Sequence, residues 1–222
     1  MNKLNHIAFI MDGNGRWGKK NKRGRNFGHL KGVETVKKIV KTCIGLKVPI
    51  ITFYVFSSEN WKRPKNEIQY LFKLIEIYFV KEIAIIKKQG IKIDIFGEIN
   101  KLPKQIRNIL KKTINDTKKN KKIIVNLAIN YGAKFEIFRA LKKLKKKINI
   151  KKIEKNLYTR NLHHPDILIR TGGHQRLSNF MLWQLAYTEL FFLKKLWPDF
   201  NSKDLKSIIK KYDKIKRNFG GV

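Results

Sequence analysis

A single cysteine in 222 residues leaves no disulfide to form within the chain. Because Cys43 falls among apolar residues at helical spacing, it reads as a buried, inert thiol. No apolar run approaches the roughly 20 residues needed to cross a bilayer, and the first residues lack the charged-then-apolar order of a signal segment, so the expected location is the cytoplasm. There is no internal repeat, no Cys/His spacing suited to a metal and no Walker-type phosphate loop. Acidic residues are scarce as well: 16 Asp and Glu stand against 51 Lys and Arg, a formal net charge of +35.

Such an excess is the electrostatic footprint of nucleic-acid binding, but its make-up points elsewhere. Ten of the basic residues are arginine and 41 are lysine, and the lysines are scattered over polar helix faces among abundant Ile and Asn. Base readout leans on arginine, whereas Lys, Ile and Asn together mark AT-rich coding. Five of the ten arginines (Arg16, Arg25, Arg63, Arg170 and Arg176) fall inside short motifs, as expected for bidentate phosphate recognition at one site. No specific nucleic-acid partner is expected.

Strand and helix patterns alternate along the chain. Apolar β-type runs occupy 7–11, 50–56, 91–96, 123–129 and 166–170, with a further apolar stretch at 183–192. Between them, helical spacing runs from Leu30 to Cys43 and ends near Gly45, and from Ile68 to Ile86 with Gly90 as its stop. Further helices are expected from about Pro103, from about Phe135, and over the C-terminal region to near Phe219. This order predicts an α/β fold: one domain over 1–222, with a mostly parallel sheet of about six strands flanked by helices. The lysine-rich run at 141–152 is either a solvated helix end and linker or a contact with anionic lipid.

Three strand ends carry polar residues suited to phosphate. The first reads DGNGRW, Asp12 to Trp17. Glycines there let main-chain N–H groups approach an anion, Arg16 adds a planar donor, and the lone carboxylate suits a divalent cation bridging protein and diphosphate. An Asp-Gly turn that merely caps a helix is the simpler alternative. The others are SSENWKR, Ser57 to Arg63, and the stretch from Arg170 to Ser178. Loops at the carboxyl ends of parallel strands converge on one cleft. The long helix after Pro64 has enough apolar residues to line an apolar tunnel, or only to pack the core.

These motifs closely resemble the cis-prenyltransferases, the undecaprenyl diphosphate synthase family, in a bacterial form. The matching stretches are DGNGRW, RxFGH at Arg25 to His29, FSSENWKRP from Phe56, IRTGG at Ile169 to Gly173, RLSNF from Arg176, WQLAYTELFF and WPDF, and they span nearly the whole chain. The resemblance implies repeated condensation of isopentenyl diphosphate onto an allylic diphosphate, typically farnesyl diphosphate. The product would be a long-chain, undecaprenyl-type polyprenyl diphosphate, a lipid carrier for cell-wall (peptidoglycan) synthesis. It also implies Mg2+, a homodimer and a hydrophobic tunnel, with peripheral contact at the inner face of the membrane as a further expectation. Asp12 would act through Mg2+ on diphosphate departure, with Glu189 as a second carboxylate near the metal. Gly13, Asn14, Gly15 and Arg16 with Arg25 would hold the allylic diphosphate, Arg170, Arg176 and Ser178 the isopentenyl one, and Trp17 and Leu177 would be further substrate-binding residues. Asn60, with His29 and Ser57, would help remove the proton, while Ser58, Glu59, Trp61 and Arg63 complete the substrate contacts.

The chain departs from the family pattern in three places. His174 and Gln175 follow the glycine pair where an acidic residue is usual, Gly132-Ala133-Lys134 replaces Gly-Gly-Arg, and Asn218 stands where an arginine is expected before Gly220, with Arg217 adjacent. Metal coordination by the first of these loops and a cross-subunit phosphate contact from the tail stay open. A nucleic-acid binder would leave the motif-bound arginines without a purpose. A non-catalytic partner subunit would have lost Asp12 or the Arg170 loop, and neither is lost. The trans-acting synthases use aspartate-rich helices, and no DDxxD occurs.

Overall fold

Alternating hydrophobic demands on the two sides of each strand set the architecture. The computed structural model describes residues 2–144 and 148–218. In chain order it contains β1 (His6–Ile10), α1 (Asn14–Lys20), α2 (Gly24–Gly45), β2 (Ile50–Ser57), α3 (Lys65–Lys88), β3 (Ile91–Phe96) and α4 (Lys104–Thr117). There follow β4 (Ile123–Tyr131), α5 (Ala133–Lys142), α6 (Ile150–Asn156), β5 (Ile167–Arg170), β6 (Glu189–Phe192) and α7 (Ser202–Tyr212). The strands form one fully parallel sheet in the order β3-β4-β2-β1-β5-β6. Ile7 and Phe9 of β1 face a large core shared with Ile39, Phe53, Trp197 and Phe200, whereas Ala8 and Ile10 face a second one with Leu168, Phe180 and Met181. Burying one such large apolar side chain contributes roughly 1.5–3 kcal/mol, so strands apolar on both faces are held firmly in register.

That order places the site. From β1 the chain goes to β2, β4 and β3 on one side and to β5 and β6 on the other, and such a switch opens a crevice at the carboxyl end of the sheet. Ile10 pairs with Arg170 across β1 and β5, so the two loops that follow these strands start side by side.

Several boundaries differ from the sequence reading. The glycine loop after Asp12 is largely helical, because α1 begins at Asn14 and folds back on α2. Glycine makes this approach feasible: a Cβ on Gly28 would lie 1.9 Å from the Asn14 carbonyl oxygen. The charge run contains the start of α6, while residues 145–147 lie outside the described residues. The last helix ends at Tyr212 rather than near Phe219, which is itself outside the described residues. Cys43 is fully buried and burial pushes its thiol up to about 12, in keeping with an inert role.

At the opposite end of the sheet a buried polar ladder crosses three strands. His6 Nδ1 lies 2.6 Å from the His163 carbonyl, which can only accept, so Nδ1 carries the proton and Nε2 accepts from the Thr52 hydroxyl at 2.6 Å. Thr52 Oγ1 also accepts from Asn126 Nδ2 at 3.2 Å. Burial pushes the His6 pKa down to about 4, against 6.5 when unfolded. The unfolded chain therefore binds a proton first, and stability present above pH 6.5 drains away as pH falls to 4, by roughly 3 kcal/mol in all. Denaturant titrations from pH 7 to 4 should show this slope, and His6→Asn should flatten it. An equal slope in the variant would assign the proton uptake elsewhere.

Candidate active site

Asp12 lies two residues beyond β1 and is fixed through its backbone before its side chain is used. Its carbonyl accepts from the Thr171 hydroxyl at 2.8 Å and from the Trp197 N–H at 3.0 Å. Gly13 then takes φ 110°, a left-handed turn open to glycine, and α1 starts. The Asp12 carboxylate accepts from Arg16 Nη2 at 3.1 Å through Oδ1 and from Arg170 Nη2 at 3.0 Å through Oδ2. Arg170 is only 4 % exposed and also donates through Nη1 to the Arg176 carbonyl and, at 2.8 Å, to Ser178 Oγ. Two guanidiniums on one carboxylate leave an excess positive charge aimed at the crevice, the electrostatics an anionic ligand needs.

A second cluster faces the first. Glu67, in the first turn of α3, has a nearly buried side chain and takes both oxygens to Arg25, from Nε at 2.8 Å and Nη2 at 2.9 Å. The same carboxylate accepts from His29 Nε2 at 3.2 Å and Arg63 Nη1 at 3.2 Å. Hydrogen bonding from Arg25 holds the Glu67 pKa down at about 2, and the bonding in turn raises that of Arg25. Burial lowers the His29 pKa against the pull of Glu67, so the ring is neutral near pH 7. Since a carboxylate only accepts, Nε2 carries the proton and Nδ1 is the basic nitrogen.

The loop after β2 completes the crevice. Asn60 Oδ1 accepts from the Ser57 N–H at 3.1 Å, closing a short 3-10 turn that ends before Arg63. Glu59 is held by Asn179 Nδ2 at 2.8 Å. Asn179 belongs to a loop in which Ser178, Asn179 and Met181 all take positive φ (51°, 62° and 46°), a costly conformation for residues with a Cβ. The strain aims Ser178 at Arg170 and presents the loop to the cavity.

Together these loops form the mouth of a cavity of about 740 Å3. Asp12, Gly13, Asn14, Gly15, Arg16, Arg25, His29, Ser57, Glu59, Asn60, Arg63, Arg170, Arg176 and Ser178, all expected from sequence, line it. His174 and Asn179 join them at the mouth. Deeper in, the wall is apolar, with Val33, Val36, Val55, Leu71, Ile75 and Phe79 among its residues, so the long helix does line an apolar arm.

Five expected residues are not brought to that surface. Trp17 stacks on Phe27 and donates to Asp199 at 2.6 Å. Trp61 packs edge-on to Phe56 and donates to Asn130 at 2.8 Å, and Ser58 bonds Glu59. Leu177 packs against the second core. Glu189 pairs with Ile167 at the start of β6, level with Ile7 and thus about 16 Å below Asp12 at roughly 3.3 Å per residue. Its neighbour is Arg217 at 3.6 Å, so this chain alone supplies Asp12 without Glu189. Arg217 also reaches Asp166 at 3.4 Å, at that same lower end. Glu67 is the residue that sequence reasoning missed. Its signal was its place four residues after Arg63 in a first turn, where an acidic residue reads as a helix-dipole partner.

Comparison with known proteins gives the family and the fold. A family model described as putative undecaprenyl diphosphate synthase matches residues 10–220. An isoprenyl transferase of Clostridium tetani is 44 % identical over 98 % of this chain and 89 % of its own length. The crystal structure of a probable undecaprenyl diphosphate synthase from Campylobacter jejuni superposes with a TM-score of 0.86 at 33 % identity, covering 99 % of this chain and all of the other. Lavandulyl diphosphate synthase from Lavandula x intermedia, solved with dimethylallyl diphosphate, gives a TM-score of 0.93 at 31 % identity over 97 % and 98 % of the two chains.

Proposed function

The chain belongs to the undecaprenyl diphosphate synthase family of prenyltransferases, and from that premise we propose that it extends farnesyl diphosphate with successive isopentenyl diphosphates, in Mg2+, to a product near eleven isoprene units. The observation that carries this reading is the Asp12 carboxylate between Arg16 and Arg170 at the polar mouth of an apolar cavity. Gly13 to Arg16 with Arg25 hold the allylic diphosphate, and Arg170, Arg176 and Ser178 the isopentenyl one. Charge developing on the leaving diphosphate meets fixed guanidiniums, while the apolar wall keeps water from the allylic carbon as it becomes positive. Departure of diphosphate from that carbon is matched by attack of the isopentenyl double bond, and one proton is then lost. Nδ1 of neutral His29 accepts it, with Asn60 and Ser57 orienting the substrate around it.

The donor set fits Mg2+. Among the described residues no group of three His, Cys, Asp or Glu could cage an ion, so a metal here would be held by Asp12 and by substrate phosphates and water, the usual habit of Mg2+. Bound so, it would neutralise charge on the departing diphosphate. The chain works as a homodimer through the exposed sheet edge at Tyr187, just before β6, and Leu190 within it, in the cytoplasm and peripherally at the inner membrane face, and its product carries cell-wall precursors. Among the described residues no helix is long and apolar enough to cross a membrane.

Val55 supplies the test. It lines the apolar arm next to the polar mouth. Val55→Phe should shorten the ladder of products made from labelled isopentenyl diphosphate while the first condensation persists, since overpacking is local and costs about 1–3 kcal/mol. A folded, active variant with an unaltered ladder would remove this arm as the site of chain growth.

A further inference from the structure

The outward side of α3 does not have the make-up of an ordinary solvated face. Residues 73, 77, 80, 81, 84, 85 and 88 share one side of a helix of 3.6 residues per turn, and all seven are exposed. They are three lysines, Ile77, Val80, Ala84 and Ile85, with no acidic residue; Val80 is 63 % exposed and Ile85 50 %. The nearest carboxylates point off this face, Glu76 taking a bond from Gln105 and Glu82 pairing with Lys37. Apolar side chains interspersed with lysine alone suit a helix lying on an anionic bilayer, with apolar groups inserted and ammonium groups at the phosphates.

The other side of the same helix lines the cavity. With a rise of about 1.5 Å per residue, Tyr78 lies roughly 16 Å along α3 from Glu67, near the far end of the lining residues. There α3 meets α2 through Lys37, whose ammonium is 5.3 Å from the centre of the Tyr78 ring and 2.5 Å from Glu82. Lys37 is 42 % exposed, so the ring has the cavity on one side and a surface cation on the other. At roughly 5 Å per five-carbon unit, from four chain bonds of about 1.5 Å each, this arm matches about three units. An eleven-unit product needs a way out.

We propose that the outward face of α3 docks on an anionic lipid surface and that the α2–α3 seam at Tyr78 is the opening through which the lengthening hydrocarbon passes from the cavity into that lipid. This rests on the elongation reading above. Lipid phosphates compete with Glu82 for Lys37, the contact over the ring loosens, and the chain finds an apolar medium at the seam.

The test uses the whole chain with vesicles of phosphatidylglycerol or of phosphatidylcholine. Co-sedimentation is expected with the first and not the second. The double variant Val80→Asp/Ile85→Asp should lose it at least tenfold while retaining the first condensation. Tyr78→Ala, and the surface change Lys37→Ala in case the first fails to fold, should lengthen the products formed without vesicles. Undiminished vesicle binding by the double variant would overturn the proposal, as would an unchanged ladder from folded, active Tyr78 and Lys37 variants. A change in oligomeric state of the double variant would instead mark the face as a contact between copies and overturn it too. Lipid binding by a wild-type chain that incorporates no isopentenyl diphosphate would overturn the elongation reading, and the exit with it, separately from the lipid surface.

Discussion

Asp12→Ala should lower the rate of condensation by about two to three orders of magnitude in a chain that still folds. The loss is large because one carboxylate serves three purposes: it sets the direction of Arg16, it neutralises part of the nearly buried Arg170, and it is the acidic group of the first loop, suited to a divalent ion. Folding survives because the Asp12 backbone keeps its bonds to Thr171 and Trp197, and Arg170 keeps the Arg176 carbonyl and Ser178. A stability loss of about 1–2 kcal/mol is expected from the partner left behind. Asp12→Asn preserves the shape and one acceptor, so an equally slow Asn variant would identify charge as the property that matters. Near-normal Mg2+-dependent turnover by a folded Ala variant would dismiss the assignment.

Glu67→Gln should reduce turnover about a hundredfold, although Glu67 touches no reacting atom in this reading. It is the common acceptor for Arg25, His29 and Arg63, and an amide offers one acceptor oxygen where the carboxylate offers two. Arg25, nearly half exposed, would swing into solvent, and His29 would lose the partner that fixes which nitrogen is basic. The pH dependence has a definite sign. With the folded pKa near 2 and the unfolded value near 4.5, this carboxylate stabilises the fold above pH 4.5, and the contribution fades as pH falls toward 2. Thermal melts of wild type and Glu67→Gln should therefore converge below pH 4.5, while steady-state kinetics at pH 7.5 show the lost rate. Wild-type turnover in the variant would leave Glu67 a purely structural ion pair with no part in catalysis.

The strands and the three loops were legible in the sequence because their signals are local: apolar runs of strand length, followed by residues whose chemistry suits phosphate. Parallel order then put Asp12, Ser57 and Arg170 at one end of the sheet without any knowledge of distances. What escaped were contacts that depend on direction. The period of a strand cannot say that Glu189 begins β6 while Arg170 ends β5, and so the match of Glu189 to a metal carboxylate did not reveal that it lies far below Asp12 in its own chain. Trp17 and Trp61 sit within matching motifs, yet their indole N–H groups are taken by Asp199 and Asn130. Glu67 lay in plain view, but a carboxylate in a first helical turn has an ordinary explanation, and only the arrival of Arg25 and His29 from α2 gives it another. Likewise α1 was hidden by its glycines, which weaken local helix propensity while allowing the close approach to α2 that stabilises it.

The most direct measurement is the length and double-bond geometry of the product made by the purified chain from farnesyl diphosphate and labelled isopentenyl diphosphate, with and without a chelator of Mg2+. A polyprenyl diphosphate whose added units are all cis, reaching about eleven isoprene units and abolished by the chelator, is the predicted result. Added units in the trans geometry, or no incorporation by a folded chain with Mg2+ present, would contradict it.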